Sequence, residues 1–274
     1  MLFGCDFSSA PTARKPIVVA VGEMAGASVV ALTHLHRFAT LDAWGRWLDS
    51  CSPAWVGGFD FPFGLPRELV THLQWPTAWD AWITHYADLS RAEIRDTFAA
   101  FCAARPVGGK FAHRATDAPA GSSTSMKWVN PPVAYMLHAG VPRLLAAGAT
   151  LPGQHVGMHK ERIALEAYPG LLARELIGRR SYKSDDVARQ SPEREVARAD
   201  LLAALELGRT RLGLRLELTA AQRDGLRADP KGDELDAVLC LLQAAWALPR
   251  ACTPGPGYGL PQDMDPLEGW IVSA

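Results

Sequence analysis

The chain is poor in cysteine, carries almost no net charge and has no long apolar run. Its five cysteines (Cys5, Cys51, Cys102, Cys240, Cys252) are scattered, odd in number and contain no Cys-x-x-Cys pair. Reduced thiols in a cytosolic protein therefore fit better than a disulfide framework or a zinc knuckle. Formal net charge is -1, so no global positive field marks a nucleic-acid coat, which still leaves room for an enzyme with a local basic groove. No run approaches the ~20 apolar residues of a membrane span, and no basic segment followed by an apolar one opens the chain. The expectation is a soluble, cytoplasmic protein with no membrane contact. Several motifs are missing too. There is no Gly-x-Ser-x-Gly elbow for a serine hydrolase. Gly108-Gly109-Lys110 lacks Walker A spacing. His34-x-His36 and His155/His159 have neither a nearby Cys nor a His-Glu-x-x-His frame, so a zinc site is not indicated.

What is there is an ordinary globular composition, 48% hydrophobic and 21% charged over 274 residues. That length allows one large domain, or a core with a sizeable insertion. Residues 1–5, 15–21 and 27–36 read as three strands, and 40–49 as a helix capped by Thr40. Residues 54–59 read as a buried strand between Pro53 and Pro62, and 162–166 as a fifth strand. Between them, 67–153 reads as a mainly helical insertion, with Trp75, Trp79 and Trp82 at helical spacing better suited to core packing than to base stacking. Ser191-Pro192 opens a helix that stops at Gly208, Thr219 to Gln222 is a capping box, and 233–248 is a strongly apolar helix. Gly269 to Val272 reads as a final edge strand. The order fits an α/β fold, a mixed sheet flanked by helices with the insertion between core strands.

Acidic residues sit where these elements end. Asp6 closes the first strand, Asp60 the fourth (Phe59-Asp-Phe-Pro-Phe-Gly-Leu-Pro66) and Glu166 the fifth (Glu166-Ala-Tyr-Pro169), while Asp233 and Asp236 open the late helix. Carboxylates in buried surroundings are costly without a positive partner. Together they point to a shared divalent-metal site of Mg²⁺ or Mn²⁺, which take oxygen ligands. Each also has a structural reading. Asp233 is placed to cap its helix and Asp236 to favour the helix dipole. Asp6 and Asp60 are placed to anchor turns, and Glu166 to form a buried ion pair. Lys110, Arg114 and Lys127 are candidates for holding phosphate oxygens, against a solvated basic loop paired with Asp117. Arg174, Arg179, Arg180 and Lys183 precede Asp185-Asp186 and read as a solvated, mixed-sign loop.

An acid ending strand one, another ending strand four and Asp233-Glu-Leu-Asp-Ala237 resemble the RNase H-like nucleases, the last piece especially the RuvC-type resolvases. With Glu166-Ala-Tyr-Pro169 and Glu268-Gly-Trp-Ile271, the chain more closely resembles a domain-of-unknown-function family described as predicted nucleases of RNase H-like fold. The resemblance implies a single RNase H-like domain over 1–274, with Asp6, Asp60 and Asp236 as metal ligands and Glu166 or Asp233 completing the set. It also implies phosphodiester hydrolysis of a nucleic acid or nucleotide, and admits a dimer. Two other functions stay open: an ATP-dependent phosphotransferase of the related actin and sugar-kinase architecture, and a non-catalytic binding protein on the same fold. Against the phosphotransferase, no glycine follows Asp6 and no second Gly-rich turn is present.

Overall fold

The computed structural model describes residues 1–274. The first three apolar runs form an antiparallel unit of β1 (Leu2–Asp6), β2 (Ile17–Gly26) and β3 (Val29–Phe38). The Thr40 hydroxyl then accepts the Ala43 N–H at 3.1 Å and starts α1 (Leu41–Ser50). With β4 (Trp55–Phe59), β5 (Ala149–Thr150), β6 (His159–Glu166) and β7 (Arg215–Glu217), the strands make one sheet in the order β5-β6-β4-β1-β2-β3-β7. Only the β1–β2 and β2–β3 ladders are antiparallel. All strands except β2 therefore run the same way, and β1, β4 and β6 end on one edge of the sheet. The fold is α/β with a mixed sheet flanked by helices, as expected.

Side chains alternate between the two faces of the sheet. Phe3 and Cys5 of β1, and Phe7 just after it, enter one core, and Leu2 enters the other. The first core is covered by α1 and by α2 (Arg67–His72), α3 (Trp79–Asp88), α4 (Arg91–Ala103) and α6 (Val133–Ala146), with the short α5 (Asp117–Ala120) between the last two. Segment 67–153 thus supplies most of one covering layer. Trp79 and Trp82 are buried there, with Trp82 stacked on Tyr86 at 5.6 Å, while Trp75 lies before the helix. The opposite face is covered by α7 (Pro169–Ile177), α8 (Pro192–Glu206), α9 (Ala220–Ala228) and α10 (Asp233–Ala247).

Helix α10 lies directly on the sheet, buried at every residue but Glu234 and Trp246. Two glycines permit this approach. A Cβ on Gly4 would fall 2.0 Å from the Leu241 nitrogen, and one on Gly58 would fall 2.5 Å from the Cys240 oxygen. With no side chain at either place, the first turn of α10 comes down beside the ends of β1 and β4. No helix is long and apolar enough to cross a membrane.

Three elements were not foreseen: β5 and β7, too short to carry a periodic pattern, and α7, whose Pro169-Gly170 start reads as a turn. The expected strand at Gly269 to Val272 does not form. Gly269 turns at a φ of 71°, the Ile271 N–H goes to the Thr116 hydroxyl, and Val272 alone bonds the Glu166 carbonyl. The chain crosses the sheet edge there and cannot extend it.

Candidate metal centre

The register Cys5↔Phe59 aligns the ends of β1 and β4, so Asp6 and Asp60 emerge side by side on the α10 face. The first turn of α10 adds Asp236. One carboxylate oxygen from each of the three lies within 4.8 Å of the others. Opposite ligands on one hard cation sit ~4–5 Å apart, twice a bond of ~2.0–2.6 Å. Asp236 is fully buried and is the only one of the three with side-chain partners. Tyr182 donates its hydroxyl to one oxygen, and the Lys183 ammonium donates to the other. The Asp6 and Asp60 carboxylates are partly buried and accept no hydrogen bond from the protein.

Electrostatics follow from this crowding. Burial, then the charge of Asp236, pushes Asp6 well above the usual carboxylate range. The same two causes push Asp60 up to about 7, with Lys183 opposing them. Asp233 stands beside the cluster without joining it; burial, then Asp229 and Asp236, raises it to about 6. Asp233 does not cap α10 either. Asp229 accepts the Glu234 N–H at 3.2 Å, leaving both helix aspartates free of that work. Four carboxylates therefore face one directly paired ammonium. Hard oxygen donors, short separations and two carboxylates without partners fit a divalent cation.

Glu166 is on the other face of the sheet. It pairs in register with Phe59, whose ring enters the core opposite α10, so alternation turns Glu166 away from Asp60. There Arg114 grips it with two bonds of 2.7 and 2.8 Å, and the Phe63 N–H donates at 3.0 Å. Burial raises the Glu166 pKa, with Arg114 and the Phe63 N–H working against that rise. Arg114 also donates to Asp117 at 3.1 Å and to the Glu268 carbonyl at 3.0 Å. Every N–H of this buried guanidinium faces an oxygen. Arg114 is thus a strut between the insertion, β6 and the C-terminal segment, with no donor left for a phosphate.

Lys110 is exposed and Lys127 half-buried, and neither lines the cleft at the carboxylates. The cations beside Asp6 and Asp233 are Lys183, Lys15 and Lys231. Lys15 lies on the β1–β2 connection beside Ser8 and Ser9, and pairs with Asp185. Lys183 stands 53 residues from Asp236 in a segment that reads as solvated loop. Its local signal is weak; the apolar Tyr182 beside it, buried to 8% exposure, is the one hint that this loop turns inward.

No curated protein and no solved structure matches the chain. A family model described as "Protein of unknown function (DUF429)" matches residues 4–258, a span that contains all three clustered aspartates together with Tyr182 and Lys183. The chain belongs to that family.

Proposed function

We propose that the protein is a metal-dependent phosphodiester hydrolase built on an RNase H-like sheet. One observation carries the reading: Asp6, Asp60 and Asp236, from β1, the end of β4 and α10, converge within 4.8 Å at the edge where parallel strands end. Ligands of open α/β sheets bind at that edge. The acids ending strands one and four and the acid opening the late helix are the pieces that the RNase H-like resemblance rests on. Their convergence supports it.

Mg²⁺ or Mn²⁺ held there would polarise a phosphoryl oxygen and lower the pKa of a water. The chain's own residues supply the rest. Lys15, Lys183 and Lys231 give an acidic site the positive rim that an anionic substrate needs. Tyr182 and Lys183 fix the Asp236 carboxylate through both oxygens, and Gly4 and Gly58 fix the helix that carries it. Arg114 and Glu166 brace the wall behind the site.

The test is a panel of duplex and single-stranded DNA, RNA, branched DNA and small nucleotides incubated with the protein in Mn²⁺. Cleavage of one class, lost in Asp6→Asn and Asp60→Asn, is expected. A panel left intact, with both variants indistinguishable from the parent, would overturn the reading. Thermal stabilisation by ATP without hydrolysis of any diester would favour the phosphotransferase instead.

A further inference from the structure

Two lobes of one cleft meet at Asp60, Pro131, Met136 and Lys183, which line both. Their linings differ in kind. The lobe beside Asp6 and Asp233, about 540 Å³, carries Lys15, paired with Asp185 at its rim, Lys183, paired with Asp236, and Lys231, which donates to the Arg14 carbonyl, with the hydroxyl residues Ser8 and Ser9. The other lobe, about 410 Å³, is walled by Phe61, Pro62, Val133, Met136, Tyr168 and Ile271. Its arginines, like the lysines opposite, are engaged. Arg114 is held by Glu166, Arg180 donates to Asp200 at 2.6 Å, and Arg174 donates to Tyr168 and the Gly121 carbonyl. The Ser123 hydroxyl, which has no partner in the protein, also lines this lobe. An apolar chamber with a free hydroxyl on one side, a lysine-lined chamber on the other and carboxylates between them match the two halves of a nucleotide.

We propose that the apolar lobe receives one unstacked nucleoside of the substrate, with its phosphate at Asp6, Asp60 and Asp236 and the flanking phosphate toward Lys15 and Lys231. The proposal rests on the phosphodiester reading and narrows its substrate. A volume of about 410 Å³ falls in the ~300–1,000 Å³ range of small-molecule sites and gives room for a single nucleoside. A base inside a duplex is stacked on both faces and cannot enter such a chamber without being extruded. The substrate is therefore a free nucleotide or the end of a single strand. Base contact with aromatic and thioether side chains is tolerant of base identity, so little preference among the four bases is expected.

Calorimetric titration of the full-length protein tests this, first with Mn²⁺ alone and then, in Mn²⁺, with adenosine 5′-monophosphate, ribose 5-phosphate, a thymidine 12-mer and a 12-base-pair duplex. The nucleotide is expected to bind at least ~10-fold tighter than ribose 5-phosphate, a difference of about 1.4 kcal/mol. Val133→Trp, which fills the lobe from the half-buried start of α6, should erase that difference and keep Mn²⁺ binding. The comparison of nucleotide with sugar phosphate needs no variant and stands if Val133→Trp fails to fold. Tighter binding of the 12-mer than of the mononucleotide assigns the nucleoside to a strand end, and the reverse order assigns it to a free nucleotide; both support the lobe. Equal binding of nucleotide and sugar phosphate by a protein that binds Mn²⁺ overturns the lobe and spares the metal centre. Preference for the duplex also overturns it. Base-dependent binding without any Mn²⁺ binding supports the lobe and overturns the metal centre.

Discussion

Replacing Arg114 by methionine separates a strut from a phosphate holder. In the parent, the Arg114 and Glu166 side chains are 2% and 3% exposed, and the guanidinium meets Glu166, Asp117 and the Glu268 carbonyl at 2.7–3.1 Å. Methionine fills much of the volume and removes every donor. Glu166 then keeps only the Phe63 N–H, and Asp117 keeps the Ser122 hydroxyl and the backbone N–H of residue 114. Stranding one partner of a buried pair costs ~3–5 kcal/mol. At ~2–4 °C per kcal/mol for a chain of this size, Tm should fall by roughly 10 °C. Urea unfolding followed by the fluorescence of the nine tryptophans measures the loss of free energy, and a thermal melt the fall in Tm. The double variant Arg114→Met/Glu166→Gln removes the stranded charge and should regain ~1–3 kcal/mol, because contacting residues couple on that scale. A loss below ~0.5 kcal/mol, the usual range for exposed sites, together with weakened substrate binding, would refute the strut and return Arg114 to the phosphate.

Metal-free protein should lose stability as pH rises from ~4 to ~7. Asp60 and Asp233 are raised to about 7 and about 6, so in that window the folded state holds protons that the unfolded chain, with carboxyls near ~3.9, has released. The fall should be on the order of 5 kcal/mol and shallower in Asp60→Asn; a flat or rising profile in EDTA contradicts the burial of these carboxyls beside Asp236. Gly4→Ala drives a Cβ to 2.0 Å from the Leu241 nitrogen, and should cost ~3 kcal/mol or more and weaken Mn²⁺ binding by shifting Asp236. Gly26→Ala, whose Cβ would meet nothing closer than Val29 at 4.0 Å, is the control, and equal behaviour of the two would contradict the role given to α10 packing. Lys183→Met leaves the fully buried Asp236 with Tyr182 alone. It should lower metal-free stability by ~2–3 kcal/mol and tighten Mn²⁺ binding, and weaker Mn²⁺ binding in a calorimeter would show that the ammonium does not compete with the cation.

The convergent aspartates could be read from the sequence because each sits at a visible junction. Asp6 and Asp60 each close an apolar run, and Asp236 follows a glycine turn into a helix of unbroken apolar character. Glu166 has the same local signature, yet it faces the other way. The run Ile163-Ala-Leu-Glu166 is buried on both faces, so the alternation that would reveal its side is hidden. Its partner Arg114 lies 52 residues earlier, in a segment that looks like solvated loop. Lys183 is hidden for the same reason: its local context is mixed charge, and only the long-range contact with Asp236 turns it inward. Charge and spacing find side chains that share an element; they miss pairs made by the packing of distant ones. The late α7 and the two short strands are locally ambiguous, while the Thr40 cap of α1 and the Thr219 capping box of α9 are legible because their chemistry acts within four residues.

Mn²⁺ titration of the parent, Asp6→Asn and Asp60→Asn, with the metal-free Tm of each, tests the central claim most directly. Two partnerless carboxylates, raised by burial and by the charge of Asp236, make the prediction unusual in sign. The parent binds Mn²⁺, both variants lose that binding, and both melt higher than the metal-free parent because a carboxylate destabilised by burial and by the charge of Asp236 has been removed. A parent that binds no Mn²⁺, or variants that bind it unchanged and melt lower, would contradict the metal centre and make these aspartates structural.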